Sequence, residues 1–173
     1  MRFKKYIESM ENDCELVKLR PDQRIHTSKQ SNITLKDEQN QNTSSKPKGL
    51  WYACGDEWIK WCKGENFKLG DLKHKFVLDV DFNKILILDT TKKIDSFSKQ
   101  YGANKYEISN EINNSWRWKI DSIDWQKVAE KYQGIEICPY QWDLRHEFLW
   151  YYGWDVASGC IWNKQAIKNI TKI

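Results

Sequence analysis

Short apolar runs alternate with polar stretches along most of the chain, and their rhythm changes from place to place. "CELVKL" and "QRIHTS" read as strands, separated by Pro21 and Asp22, which suit a turn. Residues 1–13 before them read as a short helix or a loose arm. "KQSNITLKDEQNQNTSSKPKG", residues 29–49, is almost wholly polar, and only Ile33 and Leu35 could be buried. A loop that long inside a compact domain is usually functional or mobile, and residues 29–46 are expected to be held loosely. "GLWYAC" then leaves Gly49 as a strand. "DEWIKWCKGE" follows as a helix with Asp56 at its N-cap, and Trp58, Trp61 and Cys62 share one face by i, i+3, i+4 spacing.

Further along, "KFVLDV" and "KILILDT" predict two strands joined through "DFN" as a hairpin. "TKKIDSFSKQYG" predicts a helix stopped at Gly102, and "IDWQKVAEKYQG" a second one from Asp124 to Gly134. "IEICPY" is a strand that Pro139 ends or places at an edge. The tail carries "LRHEFLWYYGWD" and a short strand, "SGCIWN". Strands outnumber helices and do not alternate with them as βαβ units, so the pattern predicts an α+β fold. The 173 residues read as one domain, residues 1–173.

Composition sharpens this picture at one point. Charged residues make up 30% and hydrophobic ones 40%, as in an ordinary globular protein, but ten tryptophans are far above normal usage. A small domain this rich in Trp is densely packed, lined with rings at a ligand site, or both. The net charge of +4 permits a phosphate-bearing ligand without requiring nucleic acid. The charges in "MRFKKYIESMENDCEL" interrupt any signal-peptide core, and no apolar run reaches membrane-span length. The reading is a cytoplasmic protein, or one delivered into a host cell without a cleaved signal, with no membrane partner. The five cysteines form no CxxC, their number is odd, and the three histidines do not stand at zinc-ligand spacing with them. Reduced thiols and no metal site are the expectation.

Three strand-borne features could converge: His26 in "RIHTS", the rings of "GLWYACGDEWIKWC", and Glu136 in "GIEIC". Taken singly, each has a plain structural reading. Trp51, Trp58 and Trp61 are core residues as readily as a ring-binding box, and a strand Glu between two isoleucines ordinarily faces solvent. Asp79-x-Asp81 is weakly similar to the metal-binding DxD of sugar-nucleotide transferases, but a charged hairpin end explains it. "WRWK" could stack on nucleic acid, or belong to a solvated face.

In order and local pattern, the three segments resemble the NAD-binding core of the ADP-ribosyltransferases, in the diphtheria-toxin and poly-ADP-ribose polymerase branch. His26, Thr27 and Ser28 match a first strand with His and a small hydroxyl residue. "GLWYA" matches the second strand, Trp61-Cys62 the helical aromatic, and Glu136 the late acid. "KPKGLWYA", "GIEICPYQW" and "WDVASGCIW" resemble segments of small phage-related and bacterial effector or toxin transferases. The resemblance spans roughly residues 24–140. Two departures stand out: Trp51 occupies the first strand aromatic in place of Tyr, and Gly134 stands two before the Glu, where the arginine-modifying branch carries an acid or amide.

The resemblance implies a split, mostly antiparallel sheet with flanking helices and an NAD cleft. It implies a mono-ADP-ribosyltransferase, an enzyme of glycosyltransferase chemistry that uses NAD as co-substrate and releases nicotinamide. The acceptor is a protein side chain, with arginine one candidate, or a nucleic acid. Glu136 is then the catalytic carboxylate that stabilises an oxocarbenium-like sugar, as in glycoside cleavage. Trp51, Tyr52 and Trp61 offer faces for the cationic nicotinamide ring. His26, Thr27 and Ser28 hold ribose and amide groups, and Arg24 meets the pyrophosphate or replaces His26 as the first-strand contact. From another class, the alternative is a non-enzymatic Trp-rich module that binds protein or nucleic acid.

Overall fold

The computed structural model describes residues 19–38, 40–103 and 120–173. The first arm, most of "CELVKL" and the "WRWK" segment lie outside the described residues. Nine strands are described: β1 (Arg24–Ser28), β2 (Thr43–Ser44), β3 (Leu50–Cys54), β4 (His74–Val80), β5 (Ile85–Ile87), β6 (Ile123–Asp124), β7 (Gly134–Ile137), β8 (Ser158–Ile161) and β9 (Ile167–Lys172). The helices are α1 (Glu57–Gly64), α2 (Thr91–Tyr101), α3 (Trp125–Ala129) and α4 (Leu149–Tyr152). The fold is mixed α+β. Seven strands form one sheet in the order β5-β7-β8-β3-β1-β4-β9, antiparallel throughout except for the parallel pair β5/β7. β2 and β6 make a separate two-residue ribbon.

The hairpin expected of "KFVLDV" and "KILILDT" does not form. A single 3-10 turn, Phe82–Lys84, joins β4 to β5, yet four strands separate them in the sheet. So short a connection requires the sheet to curl until its two ends approach. The inside of the curl is apolar, with Tyr52, Leu78, Val80, Ile85, Ile161 and Ala166 packed together. β4 therefore pairs with β1 and β9, while β5 finds β7, whose Ile135 and Ile137 are fully buried. Hydrophobic alternation marks both strands but cannot say which partner each chooses.

The larger core lies on the outer face of the sheet beneath α2, α3 and α4, and it absorbs much of the tryptophan. Trp125, Trp150, Trp154 and Trp162 are all buried. Three of their indole N–H groups act as ties: Trp125 donates to Ser44 O at 2.9 Å, Trp150 to Ser98 Oγ at 2.9 Å and Trp162 to Tyr132 O at 2.7 Å.

The last of these ties explains why α3 is shorter than its sequence pattern. Asp124 caps it as expected, its carboxylate accepting from Lys127 N. The helix then stops at Ala129, because Gln133 O accepts from Trp162 N and draws residues 132–133 toward the end of β8. Gly134 consequently opens β7, where an added Cβ would lie 2.8 Å from Cys160 O.

The second half of the polar stretch is tied to neighbouring strands and turns by hydrogen bonds. Asp37 accepts from Lys164 N at 2.9 Å and Glu38 N donates to Trp162 O at 2.8 Å. The buried Gln41 amide bonds Glu38 O and Lys48 O and accepts from Lys48 N. Side-chain amides here supply the backbone partners that apolar burial does not, and β2 then pairs with β6.

Candidate functional site

β1 and β3 are neighbours in the sheet, but they pair only at Arg24↔Cys54 and Ile25↔Ala53. Beyond that point β1 continues along β4 to Ser28, and β3 continues along β8 back to Leu50. The sheet thus opens between two strands that each keep their outer partner. His26 stands at the opening. Its Nδ1 lies 2.7 Å from Trp51 O, a carbonyl that can only accept, so Nδ1 carries the proton and Nε2 is left as an acceptor. Burial pushes the imidazole pKa below its ordinary value, against the bond to Trp51, so the ring is neutral near pH 7.

A cavity of about 260 Å³ lies at this opening. Ile25, His26 and Thr27 of β1 line it, with Trp51, Tyr52 and Ala53 of β3, Trp58 of α1, and Trp154, Val156 and Ser158 before and at the start of β8. The Trp51 and Trp154 rings meet edge-on at 4.9 Å, so the walls are largely aromatic. At the rim, the Lys46 ammonium sits over the Trp51 ring at 5.4 Å. Burial on the cavity side lowers its pKa, opposed chiefly by the charge of Asp155. A second, more polar hollow adjoins the first through His26. Ser28, Gln30, Asn32, Ile33, Thr34, Lys36 and Leu50 line it. The early part of the polar stretch is therefore one of its walls.

Glu136 belongs to the opposite face. In register, Glu136 pairs with Gly159, which pairs with Tyr52, while Ile137, Ser158 and Ala53 form the next row. Alternation sends the Ser158 row toward the cavity and the Glu136 row into the curl. There the Glu136 carboxylate is 2% exposed and fully engaged: Arg24 Nε donates to Oε2 at 2.7 Å, Arg24 Nη2 to Oε1 at 2.7 Å, and Tyr52 Oη to Oε2 at 2.9 Å. Burial, then the nearby Glu136 charge, holds the Tyr52 phenol well above its ordinary pKa, so it stays a donor. Phe82 closes the assembly, its ring 4.9 Å from the Arg24 guanidinium. Tyr52 reaches Glu136 only because the strand between them carries glycine. A Cβ at Gly159 would lie 2.4 Å from the Tyr52 phenol.

The residues singled out in sequence thus separate into groups. His26, Thr27, Trp51 and Tyr52 come together at the cavity, and Ser28 lines the adjoining hollow. The Arg24 fork grips Glu136 rather than standing free for a pyrophosphate, and Glu136 touches Arg24 and Tyr52 rather than the cavity. Trp61 stacks on Trp58 at 5.0 Å and meets Phe67 edge-on, so Trp58 is the α1 ring that reaches the cavity and Trp61 backs it. Lys46, Trp154 and Ser158 line the site without having been singled out. Lys46 stands in the quoted "KPKGLWYA", but only the fold turns its side chain back over Trp51.

Chemically, the site offers ring faces, a neutral His acceptor, hydroxyls and one rim cation. Among the described residues, no carboxylate lines either hollow. No family model, curated protein or solved structure matches this chain.

Proposed function

We propose that this chain binds NAD across the opening between β1 and β3, cleaves its nicotinamide–ribose bond, and transfers ADP-ribose to a macromolecular acceptor, a protein side chain first among them. One observation carries the reading. Residues from two segments 25 positions apart, His26 and Thr27 on one strand and Trp51 and Tyr52 on the other, border one aromatic cavity whose His26 also borders a polar hollow. A ligand with a flat ring at one end and ribose and phosphate at the other fits that pairing. The cavity is smaller than the ~300–1,000 Å³ of pockets that hold a whole drug-sized ligand, which suits one end of a dinucleotide.

In this reading the C1′–N1 bond breaks with its electron pair going to the ring nitrogen, so neutral nicotinamide departs. The ribose carbon takes up the positive charge until an acceptor nucleophile bonds to it and loses its proton. Trp51 and Trp58 hold the ring, and His26 Nε2 accepts from a ribose hydroxyl. Lys46 acts on the difference between states: its ammonium at the Trp51 ring opposes the charge on the nicotinamide in intact NAD, and that opposition weakens as the charge moves from the ring to the ribose carbon. Glu136 acts at one remove, positioning Arg24 and Tyr52, which flank the last paired rung, Ile25↔Ala53, before the sheet opens.

Two expected outcomes test these roles. Trp51→Ala weakens NAD binding about 2–30-fold, as ~0.5–2 kcal/mol of ring contact predicts. Trp58→Ala does the same, whereas Trp61→Ala acts only through Trp58 and weakens binding less. Calorimetric titration of the folded variants checks the order, and equal losses for Trp61→Ala and Trp51→Ala would reverse it. For the rim cation, Lys46→Met binds NAD more tightly while nicotinamide release slows, each by roughly five- to tenfold, since a screened rim charge is worth about 1 kcal/mol. A Lys46→Met enzyme that weakens in binding and keeps its rate would mean that the lysine merely holds phosphate.

The absence of a carboxylate in either hollow favours one second reading, a module that binds the nucleotide without turning it over. Transfer of label from adenine-labelled NAD to protein in a cell lysate separates the two. The transferase labels acceptors, and the binding module labels none.

A further inference from the structure

Inside the curl, Glu136 has two further neighbours. Cys54 ends β3, Cys138 follows β7, and Sγ of each lies within 4.8 Å of the other and of a Glu136 carboxylate oxygen. Both cysteines are free. They are poorly placed to join each other. The β8 edge runs between them, with Ala157 O accepting from Cys54 N at 3.0 Å. Two strand spacings put their backbones roughly 9–10 Å apart, beyond the ~7 Å that a disulfide spans.

We propose that Cys54, Cys138 and Glu136 form a binding site for one thiophilic divalent cation of the zinc class. Two thiolates on a tetrahedral zinc lie roughly 3.8 Å apart at ~2.3 Å from the metal, and a carboxylate oxygen joins at ~2.0–2.2 Å. The observed cluster needs only small side-chain adjustments to reach those distances. Charge supports the choice. Two thiolates and a carboxylate beside the Arg24 guanidinium sum to −2, which a divalent ion neutralises. Two sulfur donors among three ligands favour zinc over magnesium or calcium.

The carboxylate is already prepared for the role. Oε2 is held by Arg24 and Tyr52, while Oε1 accepts one bond from Arg24 and keeps a lone pair for the ion. Such outer donors orient ligating carboxylates in metal sites. Cys138 is partly exposed and provides the entry path and the side for a solvent ligand. No sequence spacing signals this site, because its ligands stand on strands separated by most of the chain and meet only through the curl. Its ligands face the inside of the curl, while the proposed NAD cavity lies on the other face of the sheet, and Tyr52 touches both.

Titration of the full chain with Co²⁺, followed by Zn²⁺, tests the site directly. The wild type is expected to take up one Co²⁺ per chain with a thiolate-to-metal absorption band that Zn²⁺ abolishes. Cys138→Ser and Cys54→Ser each lose more than about 100-fold in affinity, and Tyr52→Phe about tenfold, the scale of a lost outer-shell bond. Cys160→Ser, which alters a buried thiol outside the cluster, keeps the band. Should Cys54→Ser fail to fold, the partly exposed Cys138 decides the matter. Absence of stoichiometric uptake by the wild type, or an unchanged band in Cys138→Ser, overturns the proposal.

Discussion

Arg24→Ala will cost the fold about 3–5 kcal/mol, the scale of a buried ion pair broken from one side. The Arg24 and Glu136 side chains are only 16% and 3% exposed, so the carboxylate left behind has no water to replace two short charge-assisted bonds. For a chain of this size each kcal/mol shifts the melting temperature by ~2–4 °C, which predicts a fall of roughly 6–20 °C. The cause is the orphaned charge rather than the missing contact. Arg24→Met/Glu136→Leu, which removes both charges and keeps the volume, should therefore lose much less, since an apolar pair of similar volume is often neutral or stabilising. Urea denaturation of both variants checks this. A single variant that loses less than about 1 kcal/mol would mean that Glu136 is solvated and free to act elsewhere.

Gly159→Ala carries the second large effect. Its methyl group would lie 2.4 Å from both Cζ and Oη of Tyr52 and 2.7 Å from Ile135 O, and the last of these is backbone that cannot swing away. Either β8 shifts from β7 or the Tyr52 ring leaves its place above the strand and releases Glu136 Oε2. Overpacking costs ~1–3 kcal/mol, and the lost bond to a buried carboxylate adds ~1–3 kcal/mol. A total near 3 kcal/mol is expected, with NAD affinity reduced because β3 carries both Tyr52 and Trp51. The two residues share one space, so Gly159→Ala and Tyr52→Ala should be strongly non-additive. Additive losses in a double-mutant cycle would show that Gly159 acts on the backbone alone.

Much of this architecture is readable in the sequence, and the unreadable part has a physical cause. Local signals locate β1, β3, α2 and β8 well, because the Pro21-Asp22 turn, Gly49, Gly102 and the short apolar run of "SGCIWN" mark each from nearby in the chain. Partner choice is not local: "KILILDT" looks the same whether it turns back on β4 or crosses the curl to β7. The early end of α3 is equally invisible, since the indole of Trp162 that interrupts it comes 30 residues from the carbonyl it takes.

At the candidate site, the sequence locates the strands that meet at the cavity but not the face each side chain takes. His26 and Trp51 are drawn together by a broken ladder that no spacing encodes. Glu136 is the sharpest case. Two flanking isoleucines show that it faces away from them, and the observed register adds that this side is a closed interior holding Arg24 rather than an open cleft. Trp58 and Trp61 share a helix face, and only their stacking shows which one is nearer the cavity.

The claim that the β1–β3 opening holds the nicotinamide end of NAD is tested most directly by adding NAD to the folded protein while following indole fluorescence and free nicotinamide together. Saturable quenching that is lost in Trp51→Ala is expected, with nicotinamide released by the wild type at a rate that follows the bound fraction. A folded protein whose fluorescence does not respond to NAD at millimolar concentration, and which releases no nicotinamide, would contradict it.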